Sequence, residues 1–140
     1  MEFYKVKLQM IKEQSIEYDT KITSPRNIVD FINKKEQYNL SPNEKFIVIG
    51  LDTKGKINVY SEIAEGSPEC CGISIPNIFK ILLISNSVRF IVVHNHPSGS
   101  LEPSKYDLDI TKKIQECANI MDLLFLDHII IADNDYISIK

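Results

Sequence analysis

Two histidines and an aspartate lie close together in this sequence, at a spacing that would let one metal ion bind all three. His94 and His96 are separated by a single residue, and Asp107 follows in the same stretch. Residues i and i+2 of an extended segment point to the same side, so both imidazoles can face one point. Two imidazoles and one carboxylate leave a tetrahedral ion with a position open for water, which is typical of catalytic zinc. The pattern therefore predicts a catalytic zinc site.

The flanking residues predict the elements that would position these three side chains. The run at 89–93 is apolar and rich in β-branched residues, which favours a buried strand that ends where His94 begins. Ser104, three residues before Asp107, completes a capping-box pattern that opens a helix. Asp107 would then lie in the first helical turn, with its carboxylate able to face the strand end. Regular structure between the strand and the helix is interrupted by Pro97, Gly99 and Pro103.

Each half of this pattern has an ordinary structural explanation when taken alone. A His-x-His pair at a strand end is common, and Ser-x-x-Asp is more often only a helix cap. The two halves at this spacing are much harder to explain by packing. We therefore interpret the combination as a metal site.

The same residues carry a resemblance to a known family. The order His-x-His-Pro, six residues, Ser, two residues, Asp at 94–107 resembles the JAMM motif of JAB/MPN-domain metalloproteases. The longer form HNHPSG, with LDHIII at 126–131, resembles bacterial RadC-like proteins, and the similarity runs from about Ile22 to the C-terminus. It implies an α/β (α+β) fold, a mixed and largely antiparallel sheet flanked by helices in the three-layer JAB/MPN (cytidine-deaminase-like) architecture. We expect a single domain over 1–140, without the N-terminal helix-hairpin-helix region that RadC proteins generally carry.

The resemblance also implies a role for each site residue. His94, His96 and Asp107 would bind Zn²⁺, and Ser104 would hold the bound water or the developing oxyanion. Family members also use a glutamate outside the motif as general base, and Glu44 occupies the matching position. A carboxylate beside a zinc-bound water, whose pKa approaches about 7, can take its proton and deliver it to a leaving amine. No local spacing fixes this base, so three other glutamates are alternatives: Glu62, Glu65 and Glu102.

The activity implied is that of a zinc metallopeptidase or isopeptidase acting on a peptide or an isopeptide-linked protein. One alternative is a metal-dependent nuclease or phosphoesterase, suggested by the link of RadC proteins with DNA repair; such two-metal chemistry needs more carboxylates than the sequence places here. Another is a non-catalytic module of a DNA-processing or mobile-element system.

The chain departs from the RadC-like pattern at 76–78, where Pro-Asn-Ile stands in place of an expected arginine. A contact on the substrate side is therefore expected to differ.

Composition and charge narrow the class of protein. A chain of 140 residues with 44% hydrophobic and 25% charged residues is ordinary for one soluble globular domain. The net charge of −3 argues against direct contact with nucleic acid, and the lysine pairs at 34–35 and 112–113 are interpreted as solvated helix faces. No apolar run reaches the roughly 20 residues that a membrane helix needs, and the N-terminus lacks the features of a signal peptide, so we expect a cytoplasmic protein.

Three cysteines, two of them adjacent, do not form a disulfide framework and are expected to be reduced thiols. Cys117 is expected in the core, and Cys70 and Cys71 either there or near the active-site groove.

His128, next to Asp127 in an apolar run, is interpreted either as a histidine that donates to a carboxylate behind the metal site or as a core histidine.

The remaining elements follow from periodicity and turn residues. Alternation at 4–10 predicts a half-buried strand, and Ser24-Pro25 predicts a helix start. Strands are predicted at 45–52, 57–63, 123–132 and 136–139, and helices at 76–85 and 104–121. The last helix is expected to face the sheet with Leu108, Thr111, Ile114, Gln115 and Ala118. Four aromatic residues are expected to pack the sheet: Phe3, Tyr4, Phe46 and Phe90.

Overall fold

The computed structural model describes residues 1–66 and 72–140. Along these residues the elements are α1 (Pro25–Lys35), a short 3-10 helix (Tyr38–Leu40), β1 (Lys45–Leu51), β2 (Ile57–Glu65), α2 (Ile75–Ile84), β3 (Arg89–Asn95), α3 (Lys105–Ile120), β4 (Leu124–Ala132) and β5 (Asp135–Ser138). Within the described ranges, no helix is both long enough and apolar enough to span a bilayer. Cys70 and Cys71 lie outside these ranges, and their placement stays a prediction.

The five strands form one mixed sheet in the order β2-β1-β3-β4-β5. β1 pairs antiparallel with both β2 and β3, and β4 pairs antiparallel with β5. β3 and β4 are parallel, so α3 must cross over between them. The predicted α+β fold with a largely antiparallel sheet is confirmed.

Helices cover both faces of this sheet. α1 packs on one face, where Ile28, Phe31 and Ile32 join a buried cluster with the odd-numbered residues of β1 and β3. α2 and α3 pack on the other face against the even-numbered residues, which include Phe46 and Val92. Burial on both sides explains why β1 and β3 are nearly continuous apolar runs rather than alternating ones.

Most of the predicted elements are found within one or two residues of their predicted bounds. α1 begins at Pro25 after the cap Ser24, and β3 continues to Asn95, so that His94 lies inside the strand rather than after it. The predicted inner face of α3 is wrong at Leu108, which is 49% exposed. Its buried side is made by Asp107, Ile110, Thr111, Ile114 and Ala118. The capping box fixes the rotation of the helix, because it turns Asp107 inward and therefore Leu108 outward.

The predicted strand at 4–10 is wrong. Residues 1–23 contain neither helix nor strand, and Val6 and Leu8 are 84% and 87% exposed. Alternation gives a segment an apolar face, but a strand also needs a partner for its backbone groups, and none of the described strands pairs with this segment. Phe3 and Tyr4 are exposed with it, whereas Phe46 and Phe90 are buried in the sheet as expected.

Asn95 ties the end of β3 to the start of β1. Its side chain is buried; Oδ1 accepts a hydrogen bond from the Lys45 backbone N–H at 2.7 Å, and Nδ2 donates to the Asn43 carbonyl at 3.0 Å. These two backbone groups flank Glu44 on either side. One side chain therefore fixes the backbone from which Glu44 projects.

We predict that Asn95→Ala lowers the free energy of unfolding by about 1–3 kcal/mol, because it removes both hydrogen bonds that this buried side chain makes to the backbone of Lys45 and Asn43. Urea unfolding of the metal-free protein, followed by circular dichroism, measures this. The matched control is Asn119→Ala, which removes an exposed asparagine from α3 and is expected to stay within about 0.5 kcal/mol of wild type. Equal stability of the two variants would contradict the role given to Asn95.

Candidate metal centre

Strand β3 and helix α3 bring the two histidines and the aspartate together. Nε2 of His94 lies 3.3 Å from Oδ1 of Asp107, and Nε2 of His96 lies 3.3 Å from Oδ2 of the same carboxylate. The two Nε2 atoms are 2.9 Å apart. The structure thus gathers the three side chains that the sequence selected, with one carboxylate bridging both imidazoles.

A capping box holds the carboxylate of Asp107 at the start of α3. The Asp107 N–H donates to Ser104 Oγ at 3.0 Å, and the Ser104 N–H donates to Asp107 Oδ2 at 2.8 Å. A carboxylate at this end of a helix is also favoured by the helix dipole. The predicted cap is confirmed, and it aims the carboxylate at the strand end.

Each imidazole is oriented by a bond on its far side. Nδ1 of His96 donates to the carbonyl of Ser100 at 2.8 Å, so the lone pair of the neutral ring is on Nε2, which faces the cluster. His94 is fully buried, lies parallel to the ring of Phe46, and has its Nδ1 2.8 Å from Nε2 of His128. Both rings therefore present Nε2 to the same point.

Glu44 is the glutamate that the fold brings to this point. Its Oε1 lies 3.9 Å from Nε2 of both His94 and His96. The other glutamates considered are engaged or lie farther out: Glu62 contacts Tyr38 and Lys45, Glu65 accepts from Asn43, and Glu102 is exposed at the cavity rim. Among the described residues, Glu44, His94, His96 and Asp107 form the cluster whose possible ligand atoms lie within 4.8 Å of one another.

Burial and mutual contacts shift the pKa values of the cluster. Burial lowers the pKa of His94, and the neighbouring Asp107 only partly opposes this. His96 is less buried, and its contact with Asp107 raises its pKa. Burial alone would raise the pKa of Asp107, but the contacts with both imidazoles outweigh it and hold that pKa well below its usual range. Burial, together with the nearby charge of His94, lowers the pKa of His128 to about 3.

The donor set fits a single divalent cation. In a tetrahedral zinc site with ordinary bond lengths, neighbouring ligand atoms lie about 3.3 Å apart, and both imidazole–carboxylate separations are 3.3 Å. The two Nε2 atoms face each other at 2.9 Å, where two lone pairs repel unless a positive charge lies between them. The cluster of two histidines, one aspartate and one glutamate can therefore bind a metal ion.

The cluster opens on a cavity of about 510 Å³. Glu44, His96, Ser104 and Asp107 are among the residues that line it. A second cavity of about 470 Å³ is lined by His96, Pro97 and the residues of the 3-10 helix. His96 and Pro97 therefore border both cavities.

Some contacts at the site could not be read from local spacing. His128 does contact the site, but its ring nitrogens meet Thr111 and His94 rather than a carboxylate. Asp127 points to the opposite side of the sheet, where Ser138 donates to its carboxylate. Cys117 is half-buried and packs against the cluster of α2 and α3. The alternation of β4 separates Asp127 from His128, but it does not identify their partners.

The sequence is similar to a known domain family and to several curated proteins. The RadC-like JAB domain family model matches residues 22–140. A UPF0758 protein of Clostridium botulinum (strain Alaska E43 / Type E3) is 39% identical over 127 residues, which are 91% of this chain and 55% of the relative. UPF0758 proteins of Methanosarcina mazei and Desulfitobacterium hafniense (strain DSM 10664 / DCB-2) are 37% and 36% identical over 86% and 85% of this chain, and over 52% of each relative.

The chain spans about half the length of the curated relatives that it matches. The family match covers the sheet, all three described helices and each residue of the metal cluster. The chain therefore belongs to the RadC-like JAB domain family.

Proposed function

We propose that this chain is a zinc-dependent hydrolase that cleaves a peptide or isopeptide bond, with a peptide or isopeptide-linked protein of the cytoplasm as its substrate. The observation that carries the proposal is the placement of two imidazoles and one carboxylate around a common point, with Glu44 beside them and a cavity in front. Three ligands with an open position are the pattern of catalytic zinc, whereas structural zinc is usually enclosed by four protein ligands.

Each side chain has a separate task in this proposal. His94, His96 and Asp107 would hold the ion. Zinc, when bound, would polarise the substrate carbonyl and acidify a water molecule. Glu44 would accept the proton of the attacking water and deliver it to the leaving amine. The hydroxyl of Ser104, which lines the cavity, would donate to the carbonyl oxygen as negative charge develops there.

Distance supports a base rather than a ligand role for Glu44. Its Oε1 is 3.9 Å from each Nε2 atom, compared with 3.3 Å for the oxygens of Asp107. A carboxylate that lies farther from the imidazoles than Asp107 does can accept a hydrogen bond from a water molecule at the open position of the ion. Its side chain is also partly exposed toward the cavity, where a substrate amine would lie.

The surroundings favour this chemistry over cleavage of nucleic acid. Glu44, Glu102 and Asp107 line the same cavity, in a chain of net charge −3. Such surroundings repel a phosphate backbone, which is usually bound by lysine and arginine. A nuclease role and a non-catalytic role therefore serve as alternative outcomes of the experiments below.

We predict that the protein purified without added zinc carries about one zinc ion per chain, and that His96→Ala and Asp107→Asn lose it. Each substitution removes a donor that the ion needs. Inductively coupled plasma mass spectrometry measures the bound metal. Asp109→Asn, an exposed aspartate on the same helix, is the matched control and is expected to keep the ion. Full occupancy in Asp107→Asn would contradict the ligand assignment.

We predict that Glu44→Gln lowers the rate of hydrolysis by roughly 10²–10⁴-fold, because the amide cannot accept a proton, while the bound zinc is retained. A panel of linear and isopeptide-linked peptide fusions measures cleavage, and the metal content is measured on the same samples. Glu62→Gln and Glu102→Gln are the controls, since these glutamates lie away from the imidazoles or at the cavity rim.

The pattern of results separates the roles considered for this site. Loss of zinc from Glu44→Gln would make Glu44 a ligand, and unchanged cleavage would remove it from the base role. Wild-type protein that binds zinc but cleaves none of the fusions, and also fails to cut DNA, would favour the non-catalytic alternative.

A further inference from the structure

Behind His94 runs a chain of hydrogen bonds made by buried side chains. Oγ1 of Thr111 lies 2.6 Å from the backbone carbonyl oxygen of Asp107 and 2.6 Å from Nδ1 of His128. Nε2 of His128 in turn lies 2.8 Å from Nδ1 of His94. Thr111 is 9% exposed, and both histidines are 0% exposed. The chain therefore joins the backbone of one proposed ligand, Asp107, to the ring of another, His94.

The direction of every bond in this chain follows from its first member. A backbone carbonyl can only accept, so the Thr111 hydroxyl must donate to Asp107 and accept from His128. A neutral imidazole carries a single ring hydrogen. That hydrogen of His128 is therefore on Nδ1, and its Nε2 must accept from Nδ1–H of His94. Nε2 of His94 is left with a free lone pair that faces His96 and Asp107.

We propose that Thr111 and His128 are positioning residues that set the tautomer of His94, so that its Nε2 is available to a metal ion. The inference rests on metal binding by the cluster and not on which bond is cleaved. Fixing the tautomer of a ligand histidine through the other ring nitrogen is a common device of metal sites, where a carboxylate or a carbonyl usually accepts the hydrogen. Here a second histidine, oriented by a hydroxyl, takes that place.

Packing against Phe46 opposes a 180° rotation of either imidazole ring, which would exchange the positions of its two nitrogens. The ring of Phe46 lies parallel to His94, at an interplanar angle of 16°, and meets His128 edge-on at 73°. If the hydrogen of His128 moved to Nε2, it would point at Nδ1 of His94 and drive the hydrogen of His94 to its own Nε2. That arrangement would block the metal-facing atom. The Thr111 hydroxyl is what disfavours it.

The tautomers can be observed directly. The chain has three histidines, so a long-range ¹H–¹⁵N spectrum of metal-free protein above neutral pH can resolve and assign all their ring nitrogens. We expect the hydrogen on Nδ1 in both His94 and His128. A wild-type spectrum with the hydrogen on Nε2 of His94 would overturn the proposal, whether or not any variant folds.

Two substitutions of Thr111 test the consequence for metal binding. Thr111→Val is nearly isosteric but removes the hydroxyl, and it is expected to weaken zinc binding roughly 10–100-fold, as loss of a partner behind a ligand does. Its spectrum should show hydrogen on Nε2 of His128. Thr111→Ser keeps the hydroxyl and is expected to retain both the wild-type tautomers and the wild-type affinity. Equal affinity of the two variants in a chelator competition assay would overturn the proposal, and cleavage assays are not needed for either result.

Discussion

The contact on which the rest of the site depends is that of one carboxylate with two imidazoles. Asp107 meets His94 and His96 through different oxygens, each at 3.3 Å, while its second oxygen also accepts the Ser104 N–H. The helix cap thus restricts rotation of the Asp107 side chain before any ion binds. A flexible aspartate would have to be ordered by the metal, whereas this one is held in place by the start of α3.

The topology of the sheet explains how so many polar groups reach one place. β3 and β4 are parallel neighbours, and the crossover between them consists of the loop and α3. The end of β3 supplies both histidines of the cluster, the start of α3 supplies Asp107, and β4 supplies His128. A single β-α-β unit therefore contains the ligand set and its supporting bonds, and only Glu44 comes from another part of the chain.

The parts of the site that could be predicted from the sequence are those that local spacing determines. The His-x-His pair and the capping box each lie within a few residues, and their geometry follows from the period of a strand or a helical turn. The position of Glu44 beside the histidines could not be derived in this way, because it depends on the antiparallel pairing of β1 with β3. The contacts of Asn95, Thr111 and His128 are likewise non-local. At 4–10 the strand pattern is present, but none of the strands within residues 1–66 and 72–140 pairs with this segment.

Asn95 has a consequence for how the site can move. It stands between the two histidines in sequence, and its amide fixes the backbone on both sides of Glu44. The two histidines and the proposed base are therefore tied to the same strand ends, so a displacement of the end of β3 would carry these three residues together and preserve their separations. Adjustment to an incoming chain would then fall to Glu102 and Pro103, which line the cavity between the carbonyl that orients His96 and the cap that holds Asp107. The distances between the two histidines and Glu44 would then stay constant while the loop at the cavity rim changes conformation.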